Sequence, residues 1–431
     1  MATGRTIRIE AFSRVEGEGG LRLKIQGGRL EEVRLEIFEP PRLFEALLRG
    51  RALEEAPDIT ARICGICPVA YQMSAVHALE AALGISVSPE VRRLRRLLYC
   101  GEWIESHCLH IHLLHAADFL GLESGLAMIK DYREEFQRGL RLKKHGNQLL
   151  EVLGGRPIHP INVAVGGFYR LPRRDELTAL IPEFEWGLEA ASQVVHWVSG
   201  FEFPDFDGDY DFVSLVHPAE YPFNEGRIAV GFDSMIDVTA FEQEFHELQV
   251  PHSTALQARR VATGRSYLTG PLARLNLNRE RLSPTAKRLA DEIGLEFPCT
   301  NPFKSIIARA LEVVHAYEES LAILRDYRPV GPSKTTYTAR DGEGCAATEA
   351  PRGLLYHRYT IGSDGLLKQA KIVPPTSQNQ AQIEHDLSRY LAASLDATDE
   401  ELAHRSEALV RSYDPCISCS THFLRVTVDR S

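Results

Sequence analysis

Apolar and polar positions alternate in three stretches near the N-terminus: Ile7-Arg8-Ile9, Leu21-Arg22-Leu23-Lys24-Ile25 and Val33-Arg34-Leu35-Glu36-Ile37. A period of two marks strands with one buried face, and Gln26-Gly27-Gly28-Arg29 supplies turn chemistry, so the pattern predicts a small antiparallel sheet over residues 5–38. Beyond it the period lengthens to that of helices. Cys67 precedes Pro68, and the spacing then predicts a helix ending near Gly84. Ser88-Pro89-Glu90 opens another that runs unbroken to about Phe119. Residues 124–153 and 175–199 also read as helices, whereas 201–252 reads as loops and short strands with one helix at 239–247. Ser283-Pro284-Thr285 starts a helix to about Gly294, and Asn301-Pro302 starts a longer one to about Tyr327. Pro- and Gly-punctuated chain comes next, including Glu343-Gly344-Cys345 and Glu349-Ala350-Pro351-Arg352-Gly353. A hairpin is predicted over 353–361 and 366–373, then helices over 379–395 and 398–411. The expected fold is mainly α (α+β), a long-helix bundle core with small peripheral antiparallel sheets, treated as one domain spanning 1–431.

The bulk composition narrows the function classes. The 431 residues are 44% hydrophobic and 25% charged, with a formal net charge of -10. That charge disfavours nucleic acid and anionic lipid, and no Lys/Arg run overturns it. No apolar stretch reaches the length of a membrane span, and MATGRTIRIEAF is neither a secretory signal nor an Arg-rich presequence, so a cytoplasmic location is expected. There the eight cysteines would be reduced, which favours metal ligation over disulfides.

The candidate chemistry lies in two C-x-x-C pairs, Arg62-Ile63-Cys64-Gly65-Ile66-Cys67 and Asp414-Pro415-Cys416-Ile417-Ser418-Cys419-Ser420-Thr421-His422. Two intervening residues let both sulfurs of a pair reach one ion. Zinc ribbons place their pairs roughly 15–20 residues apart, whereas most of this chain lies between Cys67 and Cys416. Spacing alone leaves open one shared site, a disulfide, or two unrelated pairs. Pro68 puts Cys67 at a helix N-terminus, where free amides and the dipole favour thiolate. Glu16, in the loop Ser13-Arg14-Val15-Glu16-Gly17-Glu18-Gly19, reads by itself as a solvated turn acid. On a helix, 107, 111, 115 and 118 share a face, so His115 and Asp118 could point at one buried location, although core histidines are the commoner outcome. No Gly-rich phosphate loop occurs.

Taken together, Arg-x-Cys-Gly-x-Cys and Asp-Pro-Cys-x-x-Cys-x-x-His resemble the large, catalytic subunit of nickel-iron hydrogenases. Further matches are Arg14 to Gly17, Arg42 to Glu45, His115-Ala116-Ala117-Asp118, Gly155 to Pro160, Glu349 to Gly353 and Val373-Pro374. The resemblance implies reversible heterolytic cleavage of H2 at a nickel-iron centre. Cys64, Cys67, Cys416 and Cys419 would bind nickel, with Cys67 and Cys419 bridging to an iron that carries two cyanides and a carbonyl, Fe(CN)2(CO). By the same resemblance Arg352 sits over the open position with Asp118 holding it, Glu16 relays the proton from the Cys419 sulfur, and Pro351 and Thr376 contact the cofactor. Glu45, His422 and a backbone carbonyl near Lys371 would hold Mg2+ or a similar ion.

Two positions depart from the family pattern: Tyr71 stands where His is frequent, and Pro375 replaces a serine that hydrogen-bonds a cyanide in many members. Anchoring there is expected from backbone amides or Thr376. Residues 423–431 resemble the C-terminal extension that a dedicated protease removes after chaperone-assisted maturation. The motif style is most similar to the cytoplasmic bidirectional group, implying an Fe-S small subunit and flavin-bearing, diaphorase-type subunits that serve NADP+ or NAD+. The alternatives are a non-catalytic hydrogen sensor and a zinc-stabilised scaffold. A quinone-linked respiratory relative would lack the four cysteines.

Overall fold

The computed structural model describes residues 4–421. The three alternating stretches become β1 (Arg5–Ile9), β2 (Gly19–Gln26) and β3 (Arg29–Ile37), an antiparallel meander in that order. Ile7, Leu21, Leu23, Ile25 and Leu35 face inward, as period two requires. Cys67 caps α1 (Pro68–Leu83), Pro68 occupies its first turn, and Gly84 closes it in the left-handed conformation at φ 67°. Next come α2 (Pro89–Leu109), α3 (Arg133–Gly154), α4 (Ile181–Ser199) and α5 (Ser305–Asp326). α2 packs between α3 and α5, and α5 also packs on α4, which makes the bundle.

A second meander comprises β4 (Gly342–Ala350), β5 (Gly353–Ile361) and β6 (Leu367–Val373). α6 (Pro375–Leu391) and α7 (Asp399–Ser412) then lead to the C-terminal cysteines. Short strands at Val213–Val216, Arg227–Val230 and Ser234–Ile236 form another small sheet. The result is mixed helix and sheet with long central helices.

Three elements differ from the pattern-based expectation. The helix expected over 239–247 shrinks to one turn at Phe241–Glu244, and the chain continues as a strand, Phe245–Gln249, paired antiparallel with Leu256–Arg260. β4 is hidden in the sequence because its Gly342, Gly344, Ala346 and Ala347 read as turn chemistry. They are small because α1 lies directly on the strand: a Cβ at Gly344 would collide with Ala78 O and Ala82 N. The unbroken helix expected from Ser88 to Phe119 is interrupted by a π-helical turn over His110–His115 before resuming at Ala116–Phe119. The wider turn rotates the residues C-terminal to it and breaks the shared face. His107 Nε2 lies 2.9 Å from Glu312 Oε2, while His115 packs against His110 and Phe119 at centroid distances of 5.0 and 4.9 Å. Such turns are frequent at functional sites.

Buried ion pairs fasten the sheet to the bundle. Arg274 uses all five donors: Nε and Nη2 bind Glu312 at 2.7 and 2.8 Å, Nη1 binds Glu349 Oε2 at 3.0 Å and Ala350 O at 2.8 Å, and Nη2 also binds Pro351 O at 2.9 Å. The guanidinium stacks over Trp103 at 4.3 Å. This clamp holds the turn that carries Arg352. Burial lifts the Glu349 carboxyl to about 7 although Arg274 opposes the shift, whereas Arg274 overcomes burial at Glu312 and holds it at about 2.

Candidate metal centre

The two ends of the described chain are stitched together by backbone. Glu16 pairs with Cys416 as an isolated parallel bridge, Ile417 N donates to Glu16 O at 2.9 Å, and Arg42 N donates to Thr421 O at 2.6 Å. Gly17, at φ 89°, permits the approach, because a Cβ there would sit 2.8 Å from both Ile417 Cβ and Ser418 N. Arg42 spans the two cysteine loops, donating to Ile63 O at 2.7 Å and also to Ser418 O.

This closure brings the Sγ atoms of Cys64, Cys67, Cys416 and Cys419 within 4.8 Å of one another. None of the four is in a disulfide among the described residues, and each is at most 4% exposed. The amides of Ile66 and Cys67 point at Cys64 Sγ, at 3.3 and 3.2 Å. Burial opposes charge on Cys64, but hydrogen bonds from Cys416, Cys419 and Cys67 hold its thiol well below the ordinary range. Burial and hydrogen bonds to Cys419 and Cys64 push Cys416 well up. Cys67 is also raised: its hydrogen bond to Cys416 favours thiolate, but those to Cys419 and Cys64, with burial, outweigh it. Ionisation is thus favoured at Cys64, whose sulfur takes two backbone amides, over Cys67 at the α1 N-terminus. Four thiols in one dry pocket cannot all ionise without a cation, and a thiophilic metal removes that penalty. The donor set, four soft sulfurs and no disulfide among the described residues, fits a thiophilic transition metal such as nickel or iron.

Arg352 lies 2% exposed against this cluster. Its Nε donates to Asp414 O at 3.0 Å and its Nη2 to Asp414 Oδ1 at 3.1 Å. Nη1 has no hydrogen-bond partner among the described residues. Asp414 adopts φ 52°, a left-handed conformation that Asp tolerates better than most residues. Here the structure corrects the expectation that Asp118 holds Arg352. Asp118 instead binds Arg411 through both oxygens, at 2.8 and 2.7 Å, and Arg14 at 2.6 Å. Burial raises the cost of its charge, yet Arg411 outweighs it and keeps the carboxyl below its usual range. The π-helical turn and the position of Asp414 beside Pro415 account for the exchange.

Glu16 is corrected in a similar way. Its Oε2 accepts from Cys416 Sγ at 3.0 Å and from Ser418 N at 3.2 Å, so its sulfur neighbour is Cys416 and not Cys419. The Glu16–Cys416 bridge fixes that choice. Thr376 Oγ1 accepts from Cys416 N at 3.0 Å and so positions that ligand. Pro375 begins α6, and Pro351 is tied by its carbonyl to Arg274.

The remaining predicted groups lie on one wall. Glu45 Oε1 accepts from Ile372 N at 2.8 Å, Lys371 Nζ pairs with Glu247, and Glu45 and Lys371 line a cleft of about 400 Å³ together with Glu242, His246 and Glu247. His422 and the extension 423–431 lie outside the described residues. The Tyr71 hydroxyl is fully buried without a hydrogen-bond partner among the described residues, and burial together with the cysteine sulfurs pushes its phenol well up. Residue patterns alone do not single out Asp414, Arg411 or Arg274. Asp414 is signalled by its place inside the C-terminal motif, whereas the other two lie in ordinary helical sequence.

The ends of one chain have thus built a closed four-sulfur metal centre under a guanidinium–carboxylate pair. Residues 42–136 and 261–422 match the family model described as nickel-dependent hydrogenase. The sulfhydrogenase 1 alpha subunit of Pyrococcus furiosus is 34% identical over 429 residues, covering 97% of this chain and 98% of that one. The sulfhydrogenase 2 alpha subunit of the same organism is 32% identical over 426 residues, covering 97% and 100%. A chain in the crystal structure of a NAD+-reducing [NiFe]-hydrogenase in the H2-reduced state superposes with a TM-score of 0.87 at 28% identity, covering 98% of this chain and all of that one. The chain belongs to the nickel-dependent hydrogenase family and is a large subunit of that group. No helix among the described residues is long and apolar enough to cross a membrane.

Proposed function

We propose that this chain cleaves H2 reversibly into protons and electrons and passes the electrons through an iron-sulfur small subunit, and then flavin-bearing, diaphorase-type subunits, to NAD+ or NADP+ in the cytoplasm. The observation that carries the catalytic reading is the convergence of four buried thiols beside a guanidinium whose Nη1 has no hydrogen-bond partner among the described residues. Likeness to a NAD+-reducing enzyme supports the acceptor.

Nickel, with an iron bearing cyanide and carbonyl, supplies when bound the soft Lewis acidity that polarises H2. The protein provides the rest. Its sulfurs are closed to water, which strengthens every charge interaction around them. Arg352 presents positive charge from a fixed direction because Asp414 takes two of its donors. Cys416 Sγ is aligned to hand a proton to Glu16 Oε2, and the Ser418 amide holds that oxygen in place. Glu16 is only partly buried and can pass the proton outward. Glu45, His422 and the chain near Lys371 are assigned to a magnesium-type ion, and 423–431 to removal by a maturation protease after chaperone-assisted nickel delivery.

The test is nickel and iron content of the complex purified anaerobically with its partners, its infrared spectrum, and H2-dependent reduction of NAD+ and NADP+. Nickel with cyanide and carbonyl bands and pyridine-nucleotide reduction supports the whole reading. Zinc in place of nickel, without those bands, returns the scaffold alternative. For the proton route, Glu16→Gln preserves shape but not basicity, and H2 oxidation is expected to fall by roughly 10²- to 10⁴-fold with nickel retained. Turnover at the wild-type rate would move the route elsewhere.

A further inference from the structure

Buried phenols in this molecule are generally given an acceptor. Tyr221 donates to Glu312 Oε1 at 2.8 Å, Tyr327 to Pro172 O at 2.8 Å and Tyr356 to Glu242 Oε1 at 3.0 Å. Tyr99, although without a close partner, has the Thr348 hydroxyl beside it. Tyr71 departs from that pattern. It is 0% exposed, and its hydroxyl has no hydrogen-bond partner among the described residues. An unpaired buried hydroxyl is costly, and phenylalanine would fill the same space without that cost, so the oxygen at this position calls for a reason.

The place of the ring supplies one. Cys67 caps α1 and Tyr71 follows it by four residues, so the phenol shares the helix face of the Cys67 sulfur. Burial is the first influence on its ionisation, and the next are the four cysteine sulfurs, Cys419 and Cys67 ahead of Cys64 and Cys416. All push in one direction, upward, so the proton stays on the oxygen and is available to donate. Those sulfurs lie within 4.8 Å of one another, so the phenol borders a single compact cluster of acceptors. The other polar ring beside it, His357, is 5.8 Å away between centroids, and its Nδ1 lies 2.8 Å from the Tyr359 hydroxyl.

We propose that the Tyr71 hydroxyl donates a hydrogen bond to the Cys67–Cys419 sulfur pair of the metal-loaded centre and thereby sets how readily that centre accepts an electron. The role rests on the nickel-iron reading, in which these two sulfurs bridge the metals, and adds to it a positioning residue that meets a ligand and not the reacting atoms. A donor draws electron density from a thiolate, which stabilises the more negative, reduced state and raises the potential.

Two substitutions in the complete complex separate a donor from a space filler. Tyr71→Phe removes only the oxygen, and Tyr71→His supplies a ring N–H in its place. The readouts are the midpoint potential from infrared-monitored titration, the carbonyl and cyanide bands, and the nickel content of each sample. Tyr71→Phe is expected to lower the potential, cutting the reduced fraction at a fixed potential roughly tenfold, which corresponds to about 59 mV for one electron. The carbonyl band is expected to move to lower frequency with nickel retained. Tyr71→His is expected to recover more than half of both shifts. An unmoved potential in the Phe variant, or a His variant shifted as far as Phe, overturns the proposal. A change confined to one cyanide band puts the hydroxyl on that ligand and overturns the assignment to sulfur. Where the Phe complex does not assemble, 3-fluorotyrosine at position 71, a stronger donor of nearly the same shape, must raise the potential, and no rise overturns the proposal. In the nickel-free full chain, Tyr71→Phe is expected to melt at the wild-type temperature or above, because no partner within the polypeptide is lost. A lower melting temperature there assigns the hydroxyl to structure and overturns the proposal. A wild-type complex without nickel overturns the hydrogenase reading itself, and the metal assay tells the two failures apart.

Discussion

Replacing Cys419 by serine is expected to yield a complex without retained nickel and without H2 turnover. The sulfur it removes is one of four within 4.8 Å of each other, 2% exposed and contributed by a short helical turn, Ile417–Ser420. A serine hydroxyl is a harder and far weaker donor, with a proton that a neutral-pH site does not remove, so the soft ion loses a quarter of its ligand set and its charge balance together. Wild-type nickel in the variant, measured by elemental analysis after gel filtration, would remove Cys419 from the ligand set. Folding is expected to survive, because Arg42 N still meets Thr421 O and Ile417 N still meets Glu16 O. Near-wild-type circular dichroism and melting of the variant would bear that out.

Arg352→Lys is expected to keep nickel and iron but reduce turnover by roughly two orders of magnitude or more, comparable to loss of one preorganised electrostatic group. The guanidinium fork does three things at once: Nε and Nη2 hold the main-chain and side-chain oxygens of Asp414, and Nη1 remains directed away from that pair. An ammonium is a point charge on a flexible stem and cannot satisfy both Asp414 oxygens while presenting a third donor. Because the hydrogen bonds of Arg352 go to Asp414 and the candidate metal ligands are the four sulfurs, metal content should not follow activity down. Wild-type turnover would exclude the fork from the mechanism, and loss of nickel would make its role one of assembly.

How much of this is legible in the sequence depends on where the causes lie in the chain. The strands around Ile7, Leu23 and Leu35 and the helix from Pro68 to Gly84 are decided by local pattern and caps, and pattern finds them. The meeting of Cys64, Cys67, Cys416 and Cys419 is visible only as motif, since nothing local to either pair requires the other. β4 escapes pattern reading because its glycines and alanines answer to α1 above them, a long-range packing constraint that imitates turn composition. The exchange of Asp118 for Asp414 escapes it because one π-helical turn, six residues long, re-aims everything after it. Glu16 is assigned to the wrong sulfur by motif alone, because motif position says which loop approaches and only the backbone bridge says which atom it meets. Arg274 carries no motif at all, and its meaning arises from the two carboxylates that bind it.

The stitching of Glu16 to Cys416 also has a consequence in time. A ribosome delivers the chain from the N-terminus at about 5–20 residues per second, so Cys64 and Cys67 emerge tens of seconds before Cys416 and Cys419 exist. Throughout that interval the cell holds a nascent polypeptide with half a binding site, able to grip a stray thiophilic ion with two sulfurs and unable to finish the job. Selecting the right metal is therefore a question of scheduling as well as of affinity: the segment that carries Cys416 and Cys419 acts as the latch, and whatever loads the site must wait for it.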